Sequence, residues 1–296
     1  MPIYQPPFVI TNAILKAVAD ISERLGIYSA GQAADMTPQL RRGNRVRTIQ
    51  ASLAIEHNTL TVEQVTALLE GKRVLGTPKE IQEVQNAFAA YDTLPDLLPA
   101  RVEDLLQTHK LLMLGLTEQA GCWRSGGVGI YRDDQLVHMP PPASQVPRLV
   151  SDLLAGLDTT DIHPLIASCI FHYEFEFIHP FADGNGRLGR FWQTLILSQW
   201  RPALSFLPVE TLIKERQEQY YAALREADKA CDSTVFITFM LTTLELALEE
   251  ALESASSGVR PVSDQATDYA TDQVTDQVRM LLRVLYNAGG QPLGSK

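Results

Sequence analysis

One stretch of this chain gathers residue types that can do chemistry together: His179, Pro180, Phe181, Ala182, Asp183, Gly184, Asn185, Gly186, Arg187, Leu188, Gly189 and Arg190. The apolar stripe that ends at Phe177 predicts a helix stopping near Ile178 or His179, because a residue before proline is pushed out of helical geometry. Gly184 and Gly186 flank Asn185 and permit unusual backbone angles and close ligand approach. Successive N–H groups there can converge on an anion. Leu188, Phe191, Trp192 and Leu195 then recur at helical spacing, so the glycine loop opens a helix whose free N–H groups and dipole favour phosphate. Arg187 and Arg190 share a face in its first turn, where two cations are unfavourable unless an anion joins them. The pair implies a polyphosphate ligand. Asp183 is suited to a magnesium ion bridging phosphate oxygens. His179, titrating near neutrality, is suited to take a proton from an attacking hydroxyl.

The elements that must hold this loop read as helices. Leu105, Leu106, Leu112, Met113 and Leu116 mark one helix face, and Ile166, Ile170, Tyr173 and Phe177 a second. A third stripe, Ile237, Leu241, Leu244, Leu248 and Leu252, carries Glu245, Glu249 and Glu253 on its outer side. Pro38, Pro78, Pro95, Pro99, Pro164 and Pro202 fall at expected boundaries between helices. The fold class is mainly α. The exception is Gly126–Pro142, where an Asp-Asp turn between two short β-prone runs predicts a small hairpin. After Glu253 the chain turns rich in Ser, Thr, Asp and Gln, which predicts a linker followed by a short helix over Val278–Tyr286.

Composition narrows the classes of function. The chain has 296 residues, 45% of them hydrophobic, enough for one large or two modest domains. Its net charge of −10 argues against broad nucleic-acid or membrane-surface binding. Cys122, Cys169 and Cys231 are far apart and form no Cys-x-x-Cys pair, which fits a reducing compartment better than a disulfide scaffold or zinc site. The first twenty residues lack the pattern of a secretory signal, and no stretch approaches the length of a membrane span. The expectation is a cytoplasmic, soluble protein.

Residues 179–190 resemble the signature of the Fic family, HxFx(D/E)GNGRxxR, and match it at every fixed position. The resemblance spans about Leu94 to Glu253 and implies a Fic-type helical bundle with a β-hairpin flap. It divides the chain into a 1–93 helical region, a 94–253 catalytic core, and a 254–296 linker and partial C-terminal helix, a truncated winged-helix module. It further implies an enzyme, a nucleotidyltransferase that moves AMP from ATP, with Mg2+, onto a hydroxyl of a protein. Self-modification and assembly with further copies of the chain are compatible with this. By the resemblance His179 is the general base, Phe181 the loop's anchor and Asp183 the metal ligand. Gly184, Asn185 and Gly186 hold the α-phosphate, Arg187 meets the β-phosphate and Arg190 the γ-phosphate. Tyr220 and Tyr221 stand where relatives place aromatic residues near the adenine. Leu136, Val137, His138 and Met139 form the flap edge that aligns a target segment by strand addition.

Upstream, Val46, Ile49 and Leu53 form an inward stripe, with Ser52 and Glu56 one turn apart on another face. This resembles the family's inhibitory helix, (S/T)xxxE(G/N), here over about 45–58. It implies that Glu56 pairs with Arg190 and takes the γ-phosphate site, a strong competitor because an Arg–carboxylate pair is charge-assisted. His57 stands where the family pattern has Gly or Asn, so the helix is expected to end one residue later, at Asn58. Three further readings stay open at the level of sequence: removal of AMP, supported in some relatives by the same glutamate; transfer of UMP, phosphocholine or phosphate by the same loop; and DNA-binding regulation. The last is disfavoured because the tail is not basic and the chain ends before any recognition helix.

Overall fold

The computed structural model describes residues 6–32, 38–132 and 135–256. Among them eleven α-helices follow in order: α1 Asn12–Gln32, α2 Pro38–Ile55, α3 Val62–Leu69, α4 Pro78–Thr93, α5 Val102–Leu112, α6 Val146–Thr159, α7 Pro164–Ile178, α8 Asn185–Trp200, α9 Val209–Glu215, α10 Gln217–Ala230 and α11 Thr234–Ser256. Two short strands, β1 Ile130–Arg132 and β2 Gln135–His138, pair antiparallel between α5 and α6, with an irregularity in register after Ile130. The chain is mainly helical.

Local chemistry sets many of the ends. Pro78 opens α4 behind Thr77, whose side chain accepts from Glu80 N–H while Glu80 reaches back, and Thr61 with Gln64 closes the same box on α3. Pro38 and Pro164 are the first residues of α2 and α7, where a missing N–H costs nothing. The expected stripes are the buried faces: Leu188, Phe191, Trp192 and Leu195 of α8, and Ile237, Leu241, Leu244 and Leu248 of α11, are all fully covered. Glu245 and Glu249, on the outer side of α11, meet Arg24 of α1.

Helix α8 is the buried axis of the bundle. One core cluster joins Val46, Ile49 and Leu53 of α2 and Val84 and Ala87 of α4 to Phe171, Leu188 and Trp192; a second joins Ile14 and Ile21 of α1 to Leu165, Ile213 and Leu241. Residues before Leu94 thus share both cores with the rest of the bundle, and the described part of 1–93 has no core of its own. Helix α11 continues to Ser256, past the change of composition at Glu253. The expected linker beyond it, and the short helix over 278–286, lie outside the described residues. No described helix is long and apolar enough to cross a membrane.

Candidate active site

The loop between α7 and α8 is shaped by two left-handed residues. His179 caps α7 at φ 48°, donating its N–H to Phe175 O, and Gly184 caps α8 at φ 85°. A histidine there is strained, since left-handed backbone crowds Cβ. The strain is held in place from below. Phe181 is buried and stacks on His109 at 3.6 Å with the rings nearly parallel. The Asn185 side chain accepts from Phe181 N–H and donates to Phe181 O, both at 2.9 Å. Its amide is therefore committed to the turn, which leaves the backbone N–H as the group Asn185 can offer a ligand.

The start of α8 is an anion site. Its first helical hydrogen bond runs from Leu188 N–H to Gly184 O, so the N–H groups of Asn185, Gly186 and Arg187 have no acceptor within the helix. An anion is already there, supplied by the chain itself. The Glu56 carboxylate lies against Gly186, where a Cβ would run into its Oε1. Arg190, 1% exposed, donates to Glu56 Oε1 at 2.9 Å, to Ser52 Oγ at 3.0 Å and to Ser52 O at 3.0 Å. Burial works to lower the Arg190 pKa, but the facing Glu56 carboxylate, with Glu176 and Tyr220 behind it, holds it above the ordinary arginine value.

Glu56 reaches this position through a Schellman turn. His57 N–H donates to Ala54 O and Asn58 N–H to Leu53 O, with His57 itself at φ 70°. The expectation that histidine would prolong the helix to Asn58 is corrected: α2 stops at Ile55, and the exposed His57 takes the left-handed conformation that glycine otherwise supplies.

The remaining polar groups of the loop have defined partners. Asp183 is 57% exposed; its Oδ1 accepts from Gly184 N–H at 2.6 Å and from Arg187 at 3.2 Å, and Oδ2 has no partner among the described residues. One open carboxylate beside an anion cradle fits Mg2+, which favours one or two carboxylates plus phosphate oxygens. Arg187 is buried and also meets Glu83 Oε1 at 3.4 Å, while its Nε finds no acceptor among the described residues. Burial, helped by the neighbouring charges of His138 and Arg124, pushes the His179 pKa down to about 4. The imidazole is neutral at pH 7 and its buried Nδ1 is unbonded among the described residues, the state a proton acceptor requires.

Two of the expected residues sit differently. The Tyr220 ring is buried in the core and its hydroxyl engages His172 Nε2 at 3.1 Å, so it offers no open face to a base. Tyr221 is half-buried, with its hydroxyl accepting from Gln217, and remains near the rim. In the hairpin, Leu136 and Met139 are exposed. His138 turns inward instead, bonded to Phe177 O and to Asp228 Oδ2, each at 2.8 Å. Its side chain anchors the hairpin to α7 and α10. The side chain of Val137 lies outside the described set.

Sequence reasoning missed the groups that hold the loop from outside. Arg124 donates to the carbonyls of His179 at 2.7 Å, Gly126 at 3.0 Å, Ile178 and Pro141, tying hairpin to loop. His109 accepts Gly121 N–H at Nδ1 (2.8 Å), so its Nε2 carries the proton given to Asp183 O (2.9 Å); burial lowers its pKa to about 4 and keeps that tautomer neutral. The one available signal was a histidine placed four residues after Leu105 on a buried helix face.

These features define a helical bundle with a glycine-capped anion site, a neutral histidine and an internal carboxylate plug. Residues 99–197 match the Fic/DOC family. The chain is 58% identical to a Fic family protein from Desulfovibrio desulfuricans G20 of known crystal structure, covering 90% of this chain and 79% of that one with a TM-score of 0.83. The chain belongs to the Fic family. Among curated proteins it is 27% identical over 227 residues to protein adenylyltransferase fic-1 of Caenorhabditis elegans, covering 74% of this chain and 43% of that protein. It is 26% identical over 204 residues to protein adenylyltransferase Fic of Nematostella vectensis, covering 65% and 45%. The chain thus spans less than half the length of these curated relatives.

Proposed function

We propose that this chain transfers AMP from ATP to a hydroxyl of a protein and is held inactive by Glu56. The observation that carries the reading is the Glu56 carboxylate seated as an anion at the start of α8, against Gly186 and on Arg190. A group that accepts one carboxylate by these contacts accepts a phosphate better, since phosphate offers more charge and more acceptor oxygens. The relatives named protein adenylyltransferase support the donor and the class of acceptor.

In this reading the triphosphate lies along the first turn of α8. The N–H groups of Asn185 and Gly186 hold the α-phosphate, Arg187 the β-phosphate, and Arg190 the γ-phosphate once Glu56 has left. Neutral His179 takes the proton of the target hydroxyl as that oxygen attacks the α-phosphorus in line. The new P–O bond forms while the bond from the α-phosphorus to the bridging oxygen breaks, and pyrophosphate leaves with the electron pair. Asp183 would hold Mg2+, which would supply positive charge against the leaving pyrophosphate. Positioning and charge stabilisation supply most of the rate. The target segment lies along the hairpin, beside exposed Leu136 and Met139. Three free cysteines, two of them exposed, fit a reducing, cytoplasmic setting.

The test is MgATP labelled at the α-phosphate, offered to wild-type, Glu56→Gly and His179→Ala proteins with a lysate as acceptor. Label enters protein weakly with wild type, strongly with Glu56→Gly and not with His179→Ala. Equal labelling by all three would overturn the assignment.

A further inference from the structure

We propose that Glu83 is the positioning residue for Arg187, holding that guanidinium in place for a β-phosphate while Glu56 comes and goes. The proposal rests on the reading of Arg187 as a phosphate-binding residue. Arg187 lies in the first turn of α8, where the helix dipole opposes a cation. Two carboxylates offset that charge. Asp183 is mostly exposed and belongs to the mobile chemistry of metal and nucleotide. Glu83 is 6% exposed and its two oxygens have separate duties: Oε2 accepts from Asn58 Nδ2 at 2.9 Å, and Oε1 faces Arg187 Nη1 at 3.4 Å. Lys79 stands 3.9 Å from the same Oε1.

Asn58 fixes the other end of this link. It is buried, donates its backbone N–H to Leu53 O, accepts Leu60 N–H on its side chain and also donates to Glu80 O. It stands two residues beyond Glu56, on the far side of the left-handed turn at His57. Glu56 is partly exposed at the end of α2 and can swing away without breaking any of these bonds. Glu83 has no such freedom. The two motif arginines are therefore held by carboxylates of different kinds, a removable one on Arg190 and a fixed one on Arg187. Fixing the guanidinium leaves the buried Arg187 Nε without an acceptor, and a donor in that condition gains from any phosphate oxygen that reaches it.

AMP and ADP separate this role from general support of the fold, because only ADP carries a β-phosphate. In the Glu56→Gly background, calorimetry with Mg2+ should show that Glu83→Gln raises the Kd for ADP about 10-fold and leaves that for AMP within about 2-fold. In Glu56→Gly with Arg187→Ala, Glu83→Gln should add no further loss, since the residue it acts through is gone. Should Glu83→Gln not fold, Asn58→Ser releases the Glu83 carboxylate and gives a smaller loss of the same selectivity. Equal weakening of AMP and ADP, unchanged ADP binding, or an additive loss without Arg187 would each overturn the proposal. Failure of the Glu56→Gly protein to bind either nucleotide would instead overturn the functional reading beneath it.

Discussion

Glu56 Oε1 accepts from Arg190 Nη2 at 2.9 Å, across 134 residues of chain. Under the proposed function the contact is both a lock and a support, and the two roles separate by experiment. Breaking a buried pair on one side costs about 3–5 kcal/mol. Glu56 is 35% exposed, so solvent screening reduces this to about 1–2 kcal/mol. Glu56→Gly should therefore lower Tm by about 2–3 °C while raising AMP transfer about 10-fold or more. Saturating MgATP should restore the lost Tm in the variant and do little for wild type, because only the variant has its anion site open. Differential scanning calorimetry with and without MgATP checks this, and a variant unaffected by nucleotide would contradict it.

His109 presents a neutral Nε2–H to Asp183 O, and its ring stacks on Phe181. It touches no expected ligand atom, so its effect runs through the aim of the Asp183 carboxylate. Supporting groups of this kind typically change metal affinity or activity about 10–100-fold. In the Glu56→Gly background, His109→Gln should raise the Mg2+ concentration needed for half-maximal transfer by about 10-fold, with helicity by circular dichroism retained. An unchanged Mg2+ requirement would place His109 in structural packing alone.

How much of this was legible in the sequence follows from distance along the chain. The loop 179–190 could be read because its cap, turn, cradle and arginines lie within one local segment whose backbone demands are set by Pro180, Gly184 and Gly186. The helices could be read because burial of α8 and α11 leaves a periodic apolar trace. Glu56 on Arg190 was visible only through likeness to a family, for no spacing rule joins positions 134 apart. The partners of His109 and Arg124 left no trace, as these side chains bond the carbonyls of Asp183 and His179, which every residue type carries. His57 was misjudged because propensity favours glycine at a left-handed position, whereas two Schellman bonds and an exposed side chain let histidine take it.

The hairpin anchor titrates. Both partners of His138, Phe177 O and Asp228 Oδ2, accept hydrogen bonds, so both ring nitrogens donate and the ring is an imidazolium. Burial works to lower its pKa, but the bonds to Asp228 and Phe177 O, with the nearby Glu176 charge, raise it above the ordinary histidine value. Tyr173 holds the other Asp228 oxygen at 3.0 Å, and His179 is the opposing cation if it protonates. A raised value means the stabilisation is complete below the ordinary histidine pKa and is lost as pH rises through the folded-state value. Amide exchange over 135–139, corrected for intrinsic rate, should speed up as pH rises above the ordinary histidine value of about 6.5. Asp228→Asn should flatten that dependence, and a wild-type profile already flat would contradict the anchor.

Glu210 offers the opposite sign at a different depth. It lies buried in α9, where Tyr91 and Thr194 donate to Oε1 at 3.2 and 3.4 Å and Oε2 has no partner among the described residues. Burial raises its pKa to about 7, with Arg190 only partly offsetting this. Below the unfolded value near 4.5 the acid is protonated in both states. As pH rises from there to about 7 the unfolded chain gives up the proton first, so the folded state loses stability across that window and regains none above it. Glutamine reproduces the protonated acid at every pH and keeps an acceptor for Tyr91. Glu210→Gln should therefore be close to neutral at about pH 4.5 and stabilising by up to about 3 kcal/mol at about pH 8, a difference set by 1.36 kcal/mol per pH unit. Denaturant unfolding of both proteins at the two pH values checks this. A gain at acid pH that vanishes at alkaline pH would mean the carboxylate is ionised and paired in the folded state, with Arg190 rather than burial governing the site.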